Sequence, residues 1–433
     1  MQQQIYWHTT IQMPDDSNLT PIPEKVDVAI IGGGYTGLSA ARTLAKRGAK
    51  VVVLEAETIG WGASSRNGGM TLTGLKVGMA AILKKYGRDL ARELFQCSLD
   101  SVSTVEQIVG EENIECGFAR YGHLLTANKP KHYDALKEEV EFMAREFNHK
   151  VHLVSPLDLR SEIGSDVYHG GMVDQASGGL NPAQYVTGLA EAAEKAGAVL
   201  CARARVNKLE RRRIERRTGE RRFLLETNRG SVEAESVLVA TSGYTGNVTR
   251  KLQRKIIPIG SFIIATERLS NELVNELSPK NRMIFDFKHY LNYFRLWDNR
   301  MIFGGRAAFF PETVNTIKNS AEILKREMIQ VYPQLKNTKV EYVWGGTLDF
   351  AFDQMTHVGE TDGIYYSLGY AGHGVAMATY LGKTVAEAML TGNIKEHPFA
   401  RFDFPSAPFG LYTGSPWFLP FAGAWHKILD WVE

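Results

Sequence analysis

The stretch VAIIGGGYTGLSAARTLAKRGAKVVVLEAE, residues 28–57, decides the fold of this 433-residue chain. It begins with a short apolar strand, Val28–Ile31, and passes through a glycine-rich turn into a helical pattern from Leu38 to Arg47 that ends at Gly48. A second apolar strand, Val51–Leu54, follows directly. Strand, helix and strand in this order predict a βαβ unit and a fold of the α/β class.

The glycines of the turn have the spacing GxGxxG, at Gly32, Gly34 and Gly37. Gly32 permits a tight turn, Gly34 lets the backbone approach a diphosphate, and Gly37 allows the helix to pack closely on the strand. Glu55 lies 18 residues after Gly37, where a carboxylate binds ribose hydroxyls and repels a 2′-phosphate. These features predict a dinucleotide site, and a glycine-rich turn without a ligand is the alternative.

Charge and cysteine content narrow the class of protein. The 50 basic and 48 acidic residues give a net charge of +2, which argues against nucleic acid or a strongly acidic molecule as partner. Cys97, Cys116 and Cys201 are widely spaced and form no CxxC pair. They predict buried thiols in a reducing compartment, with neither a disulfide framework nor a zinc site, and we predict no metal.

The two ends of the sequence bear on localisation. The start, MQQQIYWHTT, lacks the basic residues and apolar core of a signal peptide, and no apolar run is long enough for a membrane span, so we expect a cytoplasmic protein. The C-terminal stretch is aromatic and apolar, and we expect it to pack on the protein's own body, with a membrane surface or a partner as the alternative. Its apolar residues are Trp417, Phe418, Leu419, Phe421, Trp425, Ile428, Leu429 and Trp431.

Helical and strand patterns follow the first unit. The segments 78–109 and 130–147 are helix-patterned, and YGHLLTA at 121–127 is typical of a strand. Asn181 caps a helix with Pro182 at its first position, and this helix runs to Lys195 before an apolar strand. The final segment, 363–392, reads as a strand, a glycine-rich loop and a helix that stops at Gly392.

The middle of the chain predicts β-structure of two kinds. Residues 208–245 read as three strands with turns at Thr218–Gly219 and Arg229–Gly230, and their arginines are interleaved with glutamates, so a solvated hairpin is favoured over a nucleic-acid surface. Residues 258–267 and 285–306 are rich in Ile, Phe and Tyr and predict a separate antiparallel sheet. We therefore predict a discontinuous Rossmann-like domain at 1–80, 150–250 and 345–400, a substrate domain at 81–149 and 251–344, and an aromatic tail at 401–433.

Three further motifs point to one family. IGWGASSRNGGM at 59–70 follows the acidic strand, VLVATSGYT at 237–245 closes the middle section, and GYAGHGVAMATYLGK at 369–383 opens the last helix. In this order they resemble the FAD-dependent amine and amino-acid oxidoreductases that include D-amino-acid oxidase, glycine oxidase and sarcosine oxidase. The resemblance covers nearly the whole chain, including LNYFRLWDNRMIFGGR at 291–306 and YVWGGTLDF at 342–350, and within the family the gamma-glutamylputrescine oxidases are most similar.

The resemblance implies FAD as the cofactor, with adenosine at Glu55 and the isoalloxazine ring near the loops 59–70 and 369–375. Small residues in SSRNGG let backbone amides face the cofactor, and Gly372–Gly374 stand at a helix N-terminus, where the dipole stabilises negative charge on the reduced flavin. The predicted cofactor-binding residues are Gly32, Gly34, Gly37, Glu55, Ala56, Ser64, Arg66, Asn67, Gly68, Gly69, Met70, Val206, Gly243, Gly372, His373, Gly374 and Val375.

The resemblance also implies the reaction. A hydride passes from the carbon next to the amine to flavin N5, and water hydrolyses the imine to an aldehyde or keto product. Tyr293 and Arg295 lie on one face of a predicted strand and are the candidate substrate residues, followed by Trp344; an arginine there binds a carboxylate bidentately, and a core or surface position is the alternative. His373 is a candidate base, although the backbone of its loop is by itself a sufficient reason for the sequence.

Two departures from the family refine these expectations. Sarcosine oxidase and its near relatives have a carboxylate-binding lysine soon after GHG, where this chain has Val375 and Ala376, so we expect a larger amine similar to gamma-glutamylputrescine. The loop 59–70 has no cysteine or histidine for a covalent flavin bond, so we predict dissociable FAD. Oxygen is the expected acceptor. A dehydrogenase that passes electrons to a quinone or an electron-transfer protein, and a flavin-bound assembly protein without turnover, are the alternatives.

Overall fold

The structure is a computed structural model that describes residues 1–12, 19–213, 221–288, 291–308, 314–407, 412–414 and 416. The strands in this part of the chain are β1 (Lys25–Ile31), β2 (Val51–Leu54), β3 (Met70–Thr71), β4 (His123–Thr126), β5 (His152–Val154), β6 (Gly171–Asp174), β7 (Gly178–Gly179), β8 (Val199–Cys201), β9 (Val206–Arg213), β10 (Arg221–Thr227), β11 (Gly230–Val239), β12 (Ile256–Thr266), β13 (Met283–Asp286), β14 (Tyr293–Trp297), β15 (Arg300–Ala308), β16 (Val340–Ala351), β17 (His357–Thr361) and β18 (Ile364–Leu368). The α-helices are α1 (Tyr35–Lys46), α2 (Met79–Tyr86), α3 (Arg88–Glu112), α4 (Pro130–Phe147), α5 (Pro182–Lys195), α6 (Arg250–Gln253), α7 (Asn271–Leu277), α8 (Val314–Val331) and α9 (Gly374–Thr391).

The first sheet has the order β17-β18-β11-β1-β2-β8, and its five strands from β18 to β8 are parallel. One face packs against α1, α5 and α9, because these helices present apolar side chains such as Leu38, Leu189 and Leu381 to the strands. The other face is covered by the antiparallel strands β9 and β10, which extend from β11 and contribute Phe223 and Leu225 to a second core. This layering is that of a Rossmann-like domain.

The second sheet has the order β16-β12-β15-β14-β13-β4-β6-β5 and is antiparallel except between β4 and β13. Alternate side chains of β14 lie on opposite faces. Phe294 and Leu296 pack in the core that includes Leu324 and Met328 of α8, whereas Tyr293 and Trp297 lie with the aromatic cluster around Trp7 on the other face. The aromatic cluster on this second face contacts the loop that follows β2, because Trp7 and Trp344 donate hydrogen bonds to its carbonyl oxygens.

Most local predictions agree with the structure, with two differences in the helices. Helix α1 begins at Tyr35, three residues before the predicted start at Leu38. The helix with Asn181 as its cap spans Pro182–Lys195, and the Asn181 side chain accepts hydrogen bonds from the amides of Ala183 and Gln184. The segment 78–109 forms two helices because Gly87, at φ +84°, separates α2 from α3. Among the described helices, none combines the length and the apolar character needed to cross a bilayer.

The predicted domain boundaries stay a prediction. Two stretches pack with elements of the other predicted domain. Strands β5 and β6 belong to the second sheet, although residues 150–250 are predicted to lie in the cofactor domain. Helices α3 and α4, from the predicted substrate segment, pack in the same core as α1 and α9. The turn at 218–219 and residues 417–433 of the predicted aromatic tail lie outside the described residues.

Candidate functional site

A cavity of about 590 Å³ lies at the carboxyl ends of β1, β2 and β11, next to Ile31, Leu54 and Val239. Ligands of open α/β sheets bind in the crevice at this edge. The described segments that contribute to the wall fall within 31–36, 54–57, 61–67, 205–207, 239–249, 348–349 and 370–378. All three motifs that carry the family resemblance therefore border one cavity.

The glycine turn forms one end of this cavity, and two of its glycines are sterically required. Gly32 has φ +111°, and a Cβ atom on it would lie 2.5 Å from the Ala240 carbonyl oxygen. A Cβ atom on Gly37, in the first turn of α1, would lie only 2.0 Å from the Gly32 carbonyl oxygen. Gly34 lines the cavity where α1 begins, so the N-terminus of this helix borders the space predicted for the diphosphate.

Glu55 stands beside the glycine turn and orders the backbone around it. Its Oε2 accepts a hydrogen bond from the Gly33 amide at 2.7 Å, and its Oε1 accepts one from the Glu57 amide at 2.9 Å. Burial raises the pKa of Glu55, and these amide donors partly oppose that rise. Ala56 and Val206 line the same part of the cavity, so the three residues predicted to surround the adenosine lie together.

The loop 61–69, which we call the flavin loop, forms the next part of the wall. The Ser64 hydroxyl accepts a hydrogen bond from the Tyr35 amide at 3.0 Å. The Asn67 side chain donates to the Ala63 and Ser64 carbonyl oxygens at 3.0 and 3.1 Å, and its Oδ1 accepts from the Gly69 amide at 2.7 Å. Ser64 and Asn67 line the cavity, and Asn67 fixes the conformation of its own loop.

Arg66 is turned away from the cavity wall. Its guanidinium lies 4.2 Å from the centre of the Trp61 ring, and its Nε donates to the Trp61 carbonyl oxygen at 2.8 Å. Trp344, predicted to face the substrate, is 3% exposed, and its indole Nε1 donates to the Arg66 carbonyl oxygen at 2.8 Å. The structure therefore places Trp344 behind the flavin loop.

Gly68, Gly69 and Met70 carry the flavin loop to the second sheet. A Cβ atom on Gly68 would lie 3.2 Å from the Tyr293 ring, and Met70 pairs with Gly179 in the short sheet of β3 and β7. The Tyr293 hydroxyl lies 3.1 Å from the Ser261 hydroxyl. Tyr293 of the second sheet thus packs against the flavin loop at Gly68.

Arg295 lies next to the same segment and is 1% exposed. Its Nη1 donates to the carbonyl oxygens of Gly69 and Leu180 at 2.8 and 3.1 Å. Its Nε and Nη2 have no hydrogen-bond partner among the described residues. Burial lowers the pKa of Arg295 to about 10, so the guanidinium is charged at neutral pH. The guanidinium carbon also lies 4.9 Å from the centre of the Trp297 ring, which compensates part of the charge. The two unused donors are of the kind that binds a carboxylate.

The loop before α9 forms another part of the wall, next to the first turn of α1. Gly372, Gly374 and Val375 line the cavity, and α9 begins at Gly374 with its amides toward that space. His373 lies at the N-cap position outside the wall, and its Nδ1 has no partner among the described residues. Burial and the charge of Lys76 lower the pKa of His373 to about 4, so its imidazole is neutral at physiological pH.

Gly243, predicted to bind the cofactor, packs behind the cavity wall, because its Cβ position lies 2.8 Å from the Leu348 carbonyl oxygen. Its neighbours Ser242 and Tyr244 line the cavity. Several residues of the wall are not among the predicted site residues. Asp349 lines the cavity, is 2% exposed, and accepts a hydrogen bond from the Gly369 amide at 2.7 Å. Tyr370 also lines it, with its hydroxyl 2.6 Å from the Thr36 hydroxyl. The signal for Asp349 in sequence is weak: it is an acid between the apolar residues Leu348 and Phe350.

Comparison with known proteins identifies the family of this chain. A family model described as FAD dependent oxidoreductase matches residues 27–388. Gamma-glutamylputrescine oxidoreductase of Escherichia coli (strain K12) is 32% identical over 407 residues, which cover 93% of this chain and 92% of the relative. The probable oxidoreductase OrdL of Haemophilus influenzae is also 32% identical, over 88% of this chain and 87% of the relative.

Solved structures share the fold. The crystal structure of glycine oxidase from Geobacillus kaustophilus has a TM-score of 0.68 at 19% identity and covers 90% of this chain and 99% of its own. That of L-proline dehydrogenase from P. horikoshii has a TM-score of 0.69 at 20% identity and covers 93% of this chain and 99% of its own. These findings confirm the predicted fold class, the FAD cofactor and the family resemblance. The chain belongs to the family of FAD-dependent oxidoreductases.

Proposed function

We propose that this chain oxidises a C–N bond of a carboxylate-bearing amine or amino acid, similar to gamma-glutamylputrescine, and passes the electrons to oxygen. The observation that carries the proposal is Arg295: a charged, buried guanidinium beside the flavin loop with Nε and Nη2 unpaired in the described part of the chain. The name of the Escherichia coli relative supports the choice of amine.

The residues of the cavity supply the cofactor site. The amides at the start of α1 bind the diphosphate, Glu55 accepts hydrogen bonds from ribose hydroxyls, and the amides at the start of α9 stabilise negative charge on the flavin. FAD, when bound, supplies the acceptor for the hydride that leaves the carbon next to the amine. The cavity volume, the glycines required at two positions and the two helix N-termini fit this cofactor.

Arg295 binds the substrate carboxylate through Nε and Nη2 and so positions the amine end of the molecule. His373, the candidate base, lies at the N-cap of α9 outside the cavity wall, and its lowered pKa makes it a weak proton acceptor. An arriving ammonium group therefore loses its proton to solvent before its neighbouring C–H bond is oxidised. Water then hydrolyses the imine product. The Tyr293 ring packs against the flavin loop at Gly68 and borders this region.

The test is an anaerobic titration of the purified holoprotein with gamma-glutamylputrescine, putrescine, sarcosine, glycine and D- and L-amino acids. We expect carboxylate-bearing amines to bleach the flavin absorption, and air to restore it with stoichiometric hydrogen peroxide. If none of these compounds bleaches the flavin, the proposal fails. Bleaching that air does not reverse would instead assign the protein to dehydrogenases with another electron acceptor.

A pair of variants tests Arg295 itself. In Arg295→Lys we expect the preference for gamma-glutamylputrescine over putrescine to fall roughly ten- to hundredfold, because lysine cannot make the bidentate contact. Arg300→Lys is the matched control, since Arg300 lies on the neighbouring strand, is largely buried and already donates to Glu341 at 2.6 Å. Equal losses with both amines in Arg295→Lys would show a structural role for Arg295 and contradict the proposed carboxylate site.

A further inference from the structure

The N-terminal segment 2–10, which we call the strap, is fixed at both of its ends. At the start, the Gln2 amide donates to the Glu341 carbonyl oxygen at 2.6 Å and the Val343 amide donates to the Gln2 carbonyl oxygen at 3.0 Å, so the strap joins the edge of the second sheet. At the end, the Thr10 hydroxyl accepts from the Asn181 side chain at 2.8 Å. The strap thus runs from the second sheet to the N-terminus of α5.

Between these anchors, two strap side chains contact the flavin loop, and a third side chain from β16 contacts the loop residue between them. The Trp7 indole Nε1 donates to the Asn67 carbonyl oxygen at 2.8 Å, and His8 Nε2 lies 2.9 Å from the Ser65 hydroxyl. Trp344, from β16, donates to the carbonyl oxygen of the residue between them. Trp7 is 0% exposed, and its ring lies edge-on to that of Trp344, with 6.4 Å between their centroids.

These contacts fix the part of the loop that shapes the cavity. An indole has one donor, and in both tryptophans it is directed at a main-chain carbonyl of the loop, which sets the orientation of two successive peptide planes. Asn67 extends this restriction to its neighbours, because its side chain donates to the carbonyl oxygens of Ala63 and Ser64 and accepts from the amide of Gly69. Ala63, Ser64 and Asn67 line the cavity.

We propose that the strap is a positioning element for the cofactor: Trp7 acts through the peptide at Asn67 and holds the flavin loop in the conformation that binds FAD. A loop held in advance costs FAD no ordering entropy, whereas a loop that adopts this conformation only part of the time binds FAD proportionally less tightly. The inference rests on FAD binding alone and does not depend on the substrate proposed above.

Trp7→Phe tests the role of the strap, because phenylalanine keeps an aromatic ring in the cluster and removes the donor to Asn67. Tyr6→Phe is the matched control: Tyr6 is the neighbouring residue, is 3% exposed, and its hydroxyl donates to Asp298 at 3.0 Å and not to the flavin loop. Each apoprotein is titrated with FAD, and its urea unfolding is measured separately. We expect the FAD dissociation constant of Trp7→Phe to rise about tenfold, and that of Tyr6→Phe to match the parent.

The two readouts separate positioning from simple stability. If the flavin loop keeps its binding conformation without the Trp7 donor, Trp7→Phe changes the unfolding of the apoprotein and leaves the dissociation constant unchanged, and that result would overturn the proposal. His8→Ala, which removes the partly exposed contact to Ser65, covers the case in which Trp7→Phe does not fold. It too is expected to weaken FAD binding, and parent-like affinity in a folded His8→Ala protein would count against the strap.

Discussion

Gly37→Ala is the perturbation with the clearest geometric consequence. The new methyl group would lie 2.0 Å from the Gly32 carbonyl oxygen and 3.2 Å from Ile30 Cγ2. The main chain of α1 sets the position of the new Cβ atom, and the Gly32 oxygen is itself a main-chain atom, so no side-chain rotation relieves the contact. The first turn of α1 and the glycine turn have to separate by about 1 Å before the contact ceases to be repulsive.

The effect on FAD affinity follows from this displacement. Charge-assisted hydrogen bonds from amides to a phosphate are about 2.8 Å long, so a shift of this size breaks at least one of them. Such a bond contributes roughly 1.5–3 kcal/mol, and we expect the dissociation constant for FAD to rise roughly ten- to hundredfold. The apoprotein loses less, because overpacking costs about 1–3 kcal/mol and alanine regains about 1 kcal/mol over glycine inside a helix.

The assay is a calorimetric or fluorescence titration of the apoprotein with FAD, together with urea unfolding of the apoprotein. Gly110→Ala is the matched control, since Gly110 lies inside α3. A Cβ atom there would have no described heavy atom within 4 Å apart from its chain neighbours and the backbone of its own helix. The control is expected to bind FAD as the parent does and to be slightly more stable. A Gly37→Ala protein whose FAD affinity stays within threefold of the parent would refute the reasoning.

The remaining predictions concern pH, a buried ion pair and the flavin linkage. Burial lowers the pKa of His373 from 6.5 to about 4, so the unfolded state binds a proton first and stability is lost as pH falls from 6.5 toward 4. Urea unfolding at pH 7 and 5 checks this, and His373→Gln should reduce the dependence without abolishing it, because burial also lowers the pKa values of His8, His123 and His397. Glu162→Gln should cost about 3–5 kcal/mol in urea unfolding, because it leaves Arg282 buried without its carboxylate partner at 2.7 Å; Asp166→Asn, in an exposed pair, should cost less than about 1 kcal/mol, and equal costs would contradict the argument. Acid precipitation should release FAD into the supernatant, since the described cavity wall contains no cysteine or histidine; yellow colour retained in the pellet would contradict dissociable binding.

Much of the fold could be predicted from local sequence. Strand β2 and helices α4 and α5 have the predicted bounds, because a continuous apolar run, Asn181 as a cap and the prolines at the first helical positions act over a few residues. The glycine turn and Glu55 are also local features, and they meet at the cavity as predicted. The family resemblance then supplied FAD and the loops that contain Asn67 and Gly374.

The faces of the second sheet are decided by tertiary packing. Alternation places Tyr293 and Arg295 on one side of β14, but only the packing of α8 against the other side determines that they meet the flavin loop. Their contacts join residues more than 200 positions apart, as Arg295 does with Gly69. Periodicity has no information on such pairs.

The roles of Trp7, Trp344 and Asp349 likewise come from the tertiary structure. In sequence Trp7 has no assigned role and Trp344 is a candidate substrate residue, whereas in the fold each indole donates to a carbonyl of the flavin loop. Asp349 is one acid among 48 acidic residues until β16 brings it to the cavity wall. The sequence by itself determined the elements and the cofactor turn, because their causes are local sterics and hydrogen bonding. Which side chains surround the cofactor was decided only when distant segments buried their apolar faces against one another.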